Sequence, residues 1–149
     1  MKIAILGTRG IPNNYGGFEQ CAEFLSIGLV RKGHDVTVYN PSFHWYKKDN
    51  YKGVKIIRKL SPQNLIGVSA SNFFYDYLCF KDATSNDFDI ILELGLITSA
   101  FSIIFCNHKN KIVITNLDGL EWKRTKWNHV IQRITKELEK YGVKYSDYL

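Results

Sequence analysis

Apolar residues recur in two rhythms along this chain of 149 residues. Short runs rich in Ile, Val and Leu at 2–6, 35–40, 53–58, 89–94 and 111–115 predict five strands. Between them lie stretches with helical spacing. Residues 18–32 carry Phe18, Cys21, Ala22, Leu25, Gly28 and Leu29 on one predicted face, and Gly33 closes the helix. Residues 64–81 set Leu65, Ile66, Val68, Phe73, Phe74, Tyr77, Leu78 and Phe80 at looser helical spacing, which reads as a core helix or as a face partly exposed to lipid. A short buried helix is expected over 97–106 and a charged amphipathic one over 127–141. Residues 41–53, with His44, Trp45, Tyr46 and Tyr51, read as a polar aromatic loop.

The first run alternates too little for a strand wetted on one face and reads as a buried parallel strand. Strand, glycine loop, helix and strand within the first 40 residues make a βαβ unit, expected to be right-handed. Repeating that alternation predicts an α/β domain, a Rossmann-like open parallel sheet with helices on both faces. In such sheets ligands bind outside the carboxyl ends of the strands. Those ends are 7–17, 40–51, 93–95 and 116–124, which are also rich in polar and aromatic groups.

Composition narrows the picture only a little. The length suits one domain, and a formal charge of +6 favours anionic partners in general. No basic run is interleaved with a recognition motif, so nucleic acid is not expected. Cys21, Cys79 and Cys106 show neither metal-ligand nor disulfide spacing and read as buried, reduced thiols. Met1-Lys2 leads straight into a strand, so no signal peptide is expected. No window holds the ~18 apolar residues of a membrane span. The chain is therefore expected to be soluble or peripheral.

The most informative stretch is Gly-Thr-Arg-Gly-Ile-Pro-Asn-Asn-Tyr-Gly-Gly-Phe-Glu, from Gly7 to Glu19. Gly7, Gly10, Gly16 and Gly17 permit positive φ and close ligand approach. The helix that follows points unpaired N–H groups and a positive dipole end toward an anion. Arg9 could pair with a phosphate or stay solvated, and Glu19 stands near the end of the loop. The dinucleotide pattern G-x-G-x-x-G fails here, and Asn40 occupies the place of the acidic residue that would hold a ribose. The Walker pattern is absent as well.

A second constellation follows the fifth strand: Asn116-Leu-Asp-Gly-Leu-Glu-Trp-Lys-Arg124. Asp118 and Glu121, near Trp122 and Trp127, suit a sugar site in which rings stack and carboxylates take hydroxyls. They also suit an ordinary helix cap with a first-turn acid. Asp118 would be the base for an acceptor hydroxyl, or its orienter. Glu93, at the end of the fourth strand, is expected either to line the cleft or to sit at an edge. Among the four histidines only His44 stands at the cleft edge, and a surface position is expected for it.

The Gly7–Glu19 stretch, with Gly-His-Asp-Val-Thr-Val-Tyr from Gly33 and Asp-Gly-Leu-Glu-Trp-Lys-Arg from Asp118, resembles the N-terminal domain of bacterial family 4 glycosyltransferases, rhamnosyltransferase-like subgroup. The likeness spans nearly the whole chain. It implies one half of a GT-B enzyme: residues 1–149 would be the acceptor-side domain, and the donor domain would lie outside this chain, leaving it inactive alone. The implied reaction moves a hexosyl unit, rhamnose among the candidates, from a nucleotide sugar to a lipid-linked glycan. Capsule or O-antigen synthesis at the cytoplasmic face of an anionic membrane is the implied setting. In that assignment Asp118 and Glu121 are catalytic. Gly7, Arg9, Gly10, Gly16, Gly17 and Glu19 border the donor diphosphate. Glu93, Trp122, Arg124 and His44 face the acceptor. No cofactor and no metal are expected, because the helix dipole and basic side chains can stabilise a leaving diphosphate. Where many relatives carry His-Gly after this strand, this chain has Asp118-Gly119. The rival readings are an NAD(P)-binding oxidoreductase fragment and a non-catalytic partner subunit of a split glycosyltransferase.

Overall fold

In strand β1 (Lys2–Leu6) every residue after Lys2 is buried, and successive side chains go to opposite faces. Ala4 and Leu6 join one core with Tyr75, Cys79, Phe80, Leu96 and Ile103. Ile3 and Ile5 join the other with Ile11, Ala22, Val36, Val38 and Ile56. That two-sided burial makes β1 the centre of the molecule. A computed structural model describes residues 1–117, 119–125 and 127–149, with Glu121 described in its backbone alone.

The chain continues through α1 (Gly17–Arg31), β2 (Asp35–Pro41), β3 (Asn50–Tyr51), β4 (Val54–Lys59), α2 (Gln63–Ile66) and α3 (Val68–Ser85). It ends with β5 (Ile90–Glu93), α4 (Leu96–Phe105), β6 (Ile112–Thr115), a 3-10 turn over Glu121–Lys123 and α5 (His129–Tyr145). The sheet order is β3-β4-β2-β1-β5-β6. All pairings are parallel except β3 with β4. Helix α1 covers one face, and α3 and α4, with α5 packed on α4, cover the other. The architecture is α/β and Rossmann-like. From β1 the chain first builds outward through β2 and β4, then crosses back to β5 on the other side of β1. The switch point therefore lies between β1 and β5, where such sheets open a crevice at their carboxyl edge.

Four local expectations need correction. The loop over 41–53 contains β3, which forms a hairpin with β4. Its two-residue turn uses Lys52 at φ 51° and Gly53 at φ 90°, the left-handed pair that matches strand twist. The helix expected over 64–81 is split at Gly67, whose φ of 81° cannot continue a helix. Helix α1 is turned partly away from its expected face: Ala22, Phe18 and Leu29 pack on the core as expected, Glu19 and Ser26 are buried beside them, and Cys21 and Leu25 are exposed. Ala22 and Ser26 let the helix approach the sheet, with Phe18, Ile27, Leu29 and Val30 packed partly buried around them. Cys21 is consequently exposed; Cys79 is buried, Cys106 is partly buried, and all three are free. The last helix starts at His129 because the Asn128 side chain caps it, accepting from the Ile131 N–H at 2.9 Å. Among the described residues no helix is long and apolar enough to cross a membrane.

Candidate functional site

The loop after β1 is held by its own side chains. Arg9 N–H donates to Glu19 Oε1 at 2.8 Å, and Gly10 N–H to Thr8 Oγ1 at 3.1 Å. Buried Asn40 grips Ile11 from both sides, accepting from its N–H at 3.0 Å and donating to its carbonyl at 2.7 Å. Asn13 N–H donates to Glu23 Oε2, and Tyr15 N–H to Asn13 Oδ1. These amides are not available to a ligand. The amides of Gly16, Gly17, Phe18 and Glu19 have no partner among the described residues, and no side chain caps α1. The anion-binding potential expected of the whole loop is thus concentrated in the first turn of α1.

That turn opens into a cleft of about 730 Å³ across the carboxyl ends of β1, β2 and β5. One end combines the α1 amides with Arg9, whose guanidinium lies 4.0 Å above the Tyr15 ring; Arg124, whose carbonyl accepts from Gln132 Nε2 of α5, lines the cleft as well. Glu19 lines the same end, only 4% exposed, and its carboxylate partly offsets the positive helix terminus. The opposite wall presents Ser69, Asn72 and Asp76 from α3, Thr98 from α4 and Thr135 from α5, with Phe43, Phe73 and Trp127 among them.

The glycines divide into two kinds. Gly7 (φ +74°) lines the cleft but is needed for packing: a Cβ there would lie under 3.0 Å from Glu93 Oε1 and the Gly95 nitrogen. Gly10 (φ +92°) presses on the Asn40 side chain in the same way and does not line the cleft. Gly16 and Gly17 do line it, and a Cβ at Gly17 would meet nothing within 4 Å. Room for a ligand is therefore a property of the second pair.

Other expected residues lie elsewhere. His44 is buried rather than on the surface, with Nδ1 accepting from the Tyr46 N–H and facing Asn40 Nδ2, each at 3.2 Å. Burial lowers its pKa, so the neutral ring is favoured. It braces Asn40 and does not line the cleft. Glu93 is fully buried beneath the cleft floor, neither lining it nor at an edge. Trp122 turns to α5, where its Nε1 donates to Glu139 Oε1 at 3.3 Å and Lys136 Nζ lies 4.9 Å from the ring. Arg124 lines the cleft, and Trp127, not Trp122, is the tryptophan beside it. Asp118 and the side chain of Glu121 lie outside the described residues.

Asp76 went unremarked in the sequence, although a lone carboxylate in Phe-Phe-Tyr-Asp-Tyr-Leu-Cys-Phe was a visible signal. It is 5% exposed and lines the cleft. At the end of β5, Glu93 Oε1 accepts from the Gly95 N–H at 3.1 Å, while Oε2 has no partner among the described residues. Desolvation drives both carboxyls above the usual carboxylate range. The charge of Asp76 pushes Glu93 further in the same direction. The Thr98 and Ser99 hydroxyls favour ionised Asp76 and the Ser99 hydroxyl favours ionised Glu93, although Ser99 Oγ is without a well-formed hydrogen bond among the described residues.

A family model described as a domain of unknown function, DUF1972, matches residues 1–149. The chain belongs to this family. The loop, cleft and buried acids just described are thus features of a DUF1972 domain that the family model covers from end to end. A comparison with curated proteins finds no match for this DUF1972 domain.

Proposed function

We propose that this domain is the acceptor-side half of a sugar-nucleotide-dependent glycosyltransferase that extends a lipid-linked surface glycan. DUF1972 is a domain of glycosyltransferase-associated proteins, which supports that class. The observation that carries the reading is the division of one cleft into two chemistries. Its α1 end offers open amides and Arg9 to a diphosphate. Its α3–α4 wall offers hydroxyl- and amide-bearing side chains interleaved with aromatic rings, which suits a pyranose with a polar rim and an apolar face.

In this reading Arg9 and the Gly16–Phe18 amides take up charge that grows on the leaving diphosphate as the sugar–oxygen bond breaks. Glu19 holds the Arg9 backbone in place through its 2.8 Å bond and makes this end selective for a ligand with both phosphate and hydroxyl groups. Asp118 and Glu121 keep the roles inferred from sequence, base and acceptor contact. The donor sugar, rhamnose or another hexose, is bound mainly by a second domain. Leu65, Ile66 and Val68 are exposed beside cleft-lining Ser69, which suits a lipid-linked acceptor approaching along an anionic cytoplasmic membrane face. A dinucleotide cofactor is disfavoured: Asn40, at the position of the ribose-binding acid, is buried and committed to Ile11.

The test is to supply the chain with a donor-binding domain and a lipid-linked acceptor and to screen nucleotide sugars for product. Turnover with one of them, lost in Asp118→Ala while the fold persists, is expected. Saturable micromolar NADH binding with no sugar transfer would replace this reading with the oxidoreductase one.

A further inference from the structure

The loop before α1 is anchored by a chain of contacts that ends on a histidine. Asn40 Oδ1 accepts from the Ile11 N–H at 3.0 Å and Nδ2 donates to the Ile11 carbonyl at 2.7 Å, which fixes how the amide is oriented. Nδ2 also faces His44 Nδ1 at 3.2 Å, and the Tyr46 N–H donates to the same ring nitrogen at 3.2 Å. A nitrogen that receives two N–H groups must offer a lone pair, so the single proton of the neutral ring sits on Nε2. The ring is buried, and it cannot turn to water unless its loop moves. At the other end of the chain of contacts, Ile11 is fully buried in the core that also holds Ala22 of α1. Ile11 follows Arg9 in the loop that leads to Gly16 and Gly17, and Phe43, next to His44, lines the cleft.

We propose that His44 is a positioning residue for the phosphate end of the cleft: its neutral ring latches Asn40 onto Ile11, and a second proton, arriving at Nδ1, releases the latch. The proposal rests on the reading of the first turn of α1 as a phosphate site and adds a residue that sets its geometry. In the imidazolium both ring nitrogens are donors. Nδ1–H would then point at Asn40 Nδ2 and at the Tyr46 N–H, three donors with no acceptor among them, and a buried donor left unpaired is costly. Burial opposes the added charge most; Lys47 of the same loop and Arg58 of β4, itself paired with Asp49, oppose it as well, whereas the Tyr46 and Pro12 carbonyls favour it. The sign of the consequence separates a latch from a plain charge effect. A cation at His44 would by Coulomb attraction tighten the binding of a nearby anion. Release of Ile11 instead displaces Arg9 and the approach to α1, and loosens it.

The experiment uses the full 15N-labelled chain, with UDP-glucose as the probe because a diphosphate diester lacks the monoester proton that titrates at about pH 6. Ring-nitrogen shifts are expected to show the Nε2–H tautomer at neutral pH. On acidification the Ile11 and Tyr46 amides and the Asn40 side-chain amide should move with one midpoint, that of the His44 ring, below the ordinary value of about 6.5. UDP-glucose affinity should fall about fivefold or more across that midpoint, the scale of one hydrogen bond. In His44→Asn the side-chain Oδ1 offers an acceptor in place of Nδ1 and does not titrate, so the affinity ratio over the same pH interval should stay within about twofold. Protonation of Glu19 is common to both proteins and cancels in that comparison. An Nδ1–H tautomer, loop amides that ignore the His44 midpoint, affinity that holds or rises through it, or the same loss in His44→Asn each overturns the latch and leaves the phosphate reading standing. Absence of UDP-glucose binding at every pH removes that reading and the proposal together. Should His44→Asn fail to fold, the wild-type tautomer, the shared midpoint and the direction of the affinity change decide the matter.

Discussion

Replacing Gly7 by alanine puts a methyl group where two loops meet. A Cβ at this position would lie under 3.0 Å from Glu93 Oε1 and from the Gly95 nitrogen, and 3.0 Å from the Gly95 Cα. The carboxyl has little freedom, being fully buried and bonded to the Gly95 amide, and backbone atoms cannot rotate away. The residue also sits at φ +74°, where a side chain costs about 1–2 kcal/mol. Overpacking of a filled interior adds about 1–3 kcal/mol. Gly7→Ala is therefore expected to lose about 2–5 kcal/mol, a large share of a typical domain's stability. Gly17→Ala is the matched control, since its new Cβ meets nothing within 4 Å; it should stay within about 0.5 kcal/mol of wild type or gain slightly from helix propensity. Urea unfolding followed by tryptophan fluorescence gives both values from the midpoint and slope. A Gly7→Ala variant within 0.5 kcal/mol of wild type would refute the claim that this glycine exists for loop packing.

Three further outcomes follow from the same geometry. Asn40→Ala should cost about 2–3 kcal/mol in thermal or urea unfolding, because it strands the buried Ile11 N–H and carbonyl. Asn40→Asp should not create NADH binding, measured by fluorescence titration, because the side chain is enclosed at 0% exposure. Glu93 should make stability fall with pH: its folded pKa is raised, so the contribution is whole below the ordinary carboxylate pKa and is lost as pH rises through the folded value. The limiting slope is about 1.4 kcal/mol per pH unit. Glu93→Gln should flatten that slope and gain on wild type between pH 5 and pH 8 in unfolding titrations.

Much of the architecture was legible because β1 and β2 are buried on both faces and therefore read as unbroken apolar runs. What stayed hidden depended on tertiary contact. Strand β3 is only Asn50–Tyr51, too short for any alternation, and its turn places Lys52 rather than Asn or Gly at positive φ. Helix α1 packs Phe18, Ala22 and Leu29 on the core as apolar spacing indicated, but the buried Ser26 turns the inner face so that Cys21 and Leu25 are exposed. At the site, the glycine loop marked the right edge of the sheet. It could not reveal that Glu19, Thr8 and Asn40 consume most of its amides, since each partner is either a local side chain or lies a strand away. Asn40 was visible only as a missing acid; its task as a clamp on Ile11 needs β2 beside β1. Asp76 reaches the cleft only because α3 packs over β1 and against α4, and no sequence pattern marks that.

The most direct test of the central claim, that the first turn of α1 holds the phosphate end of a ligand, is an amide-resolved NMR titration of the labelled chain with pyrophosphate and with UDP. The account predicts saturable shifts at Gly16, Gly17 and Phe18, weakened in Arg9→Ala and diminished by salt as a charge interaction should be. Silent amides at those three positions at millimolar ligand, or equal binding in Arg9→Ala, would contradict it.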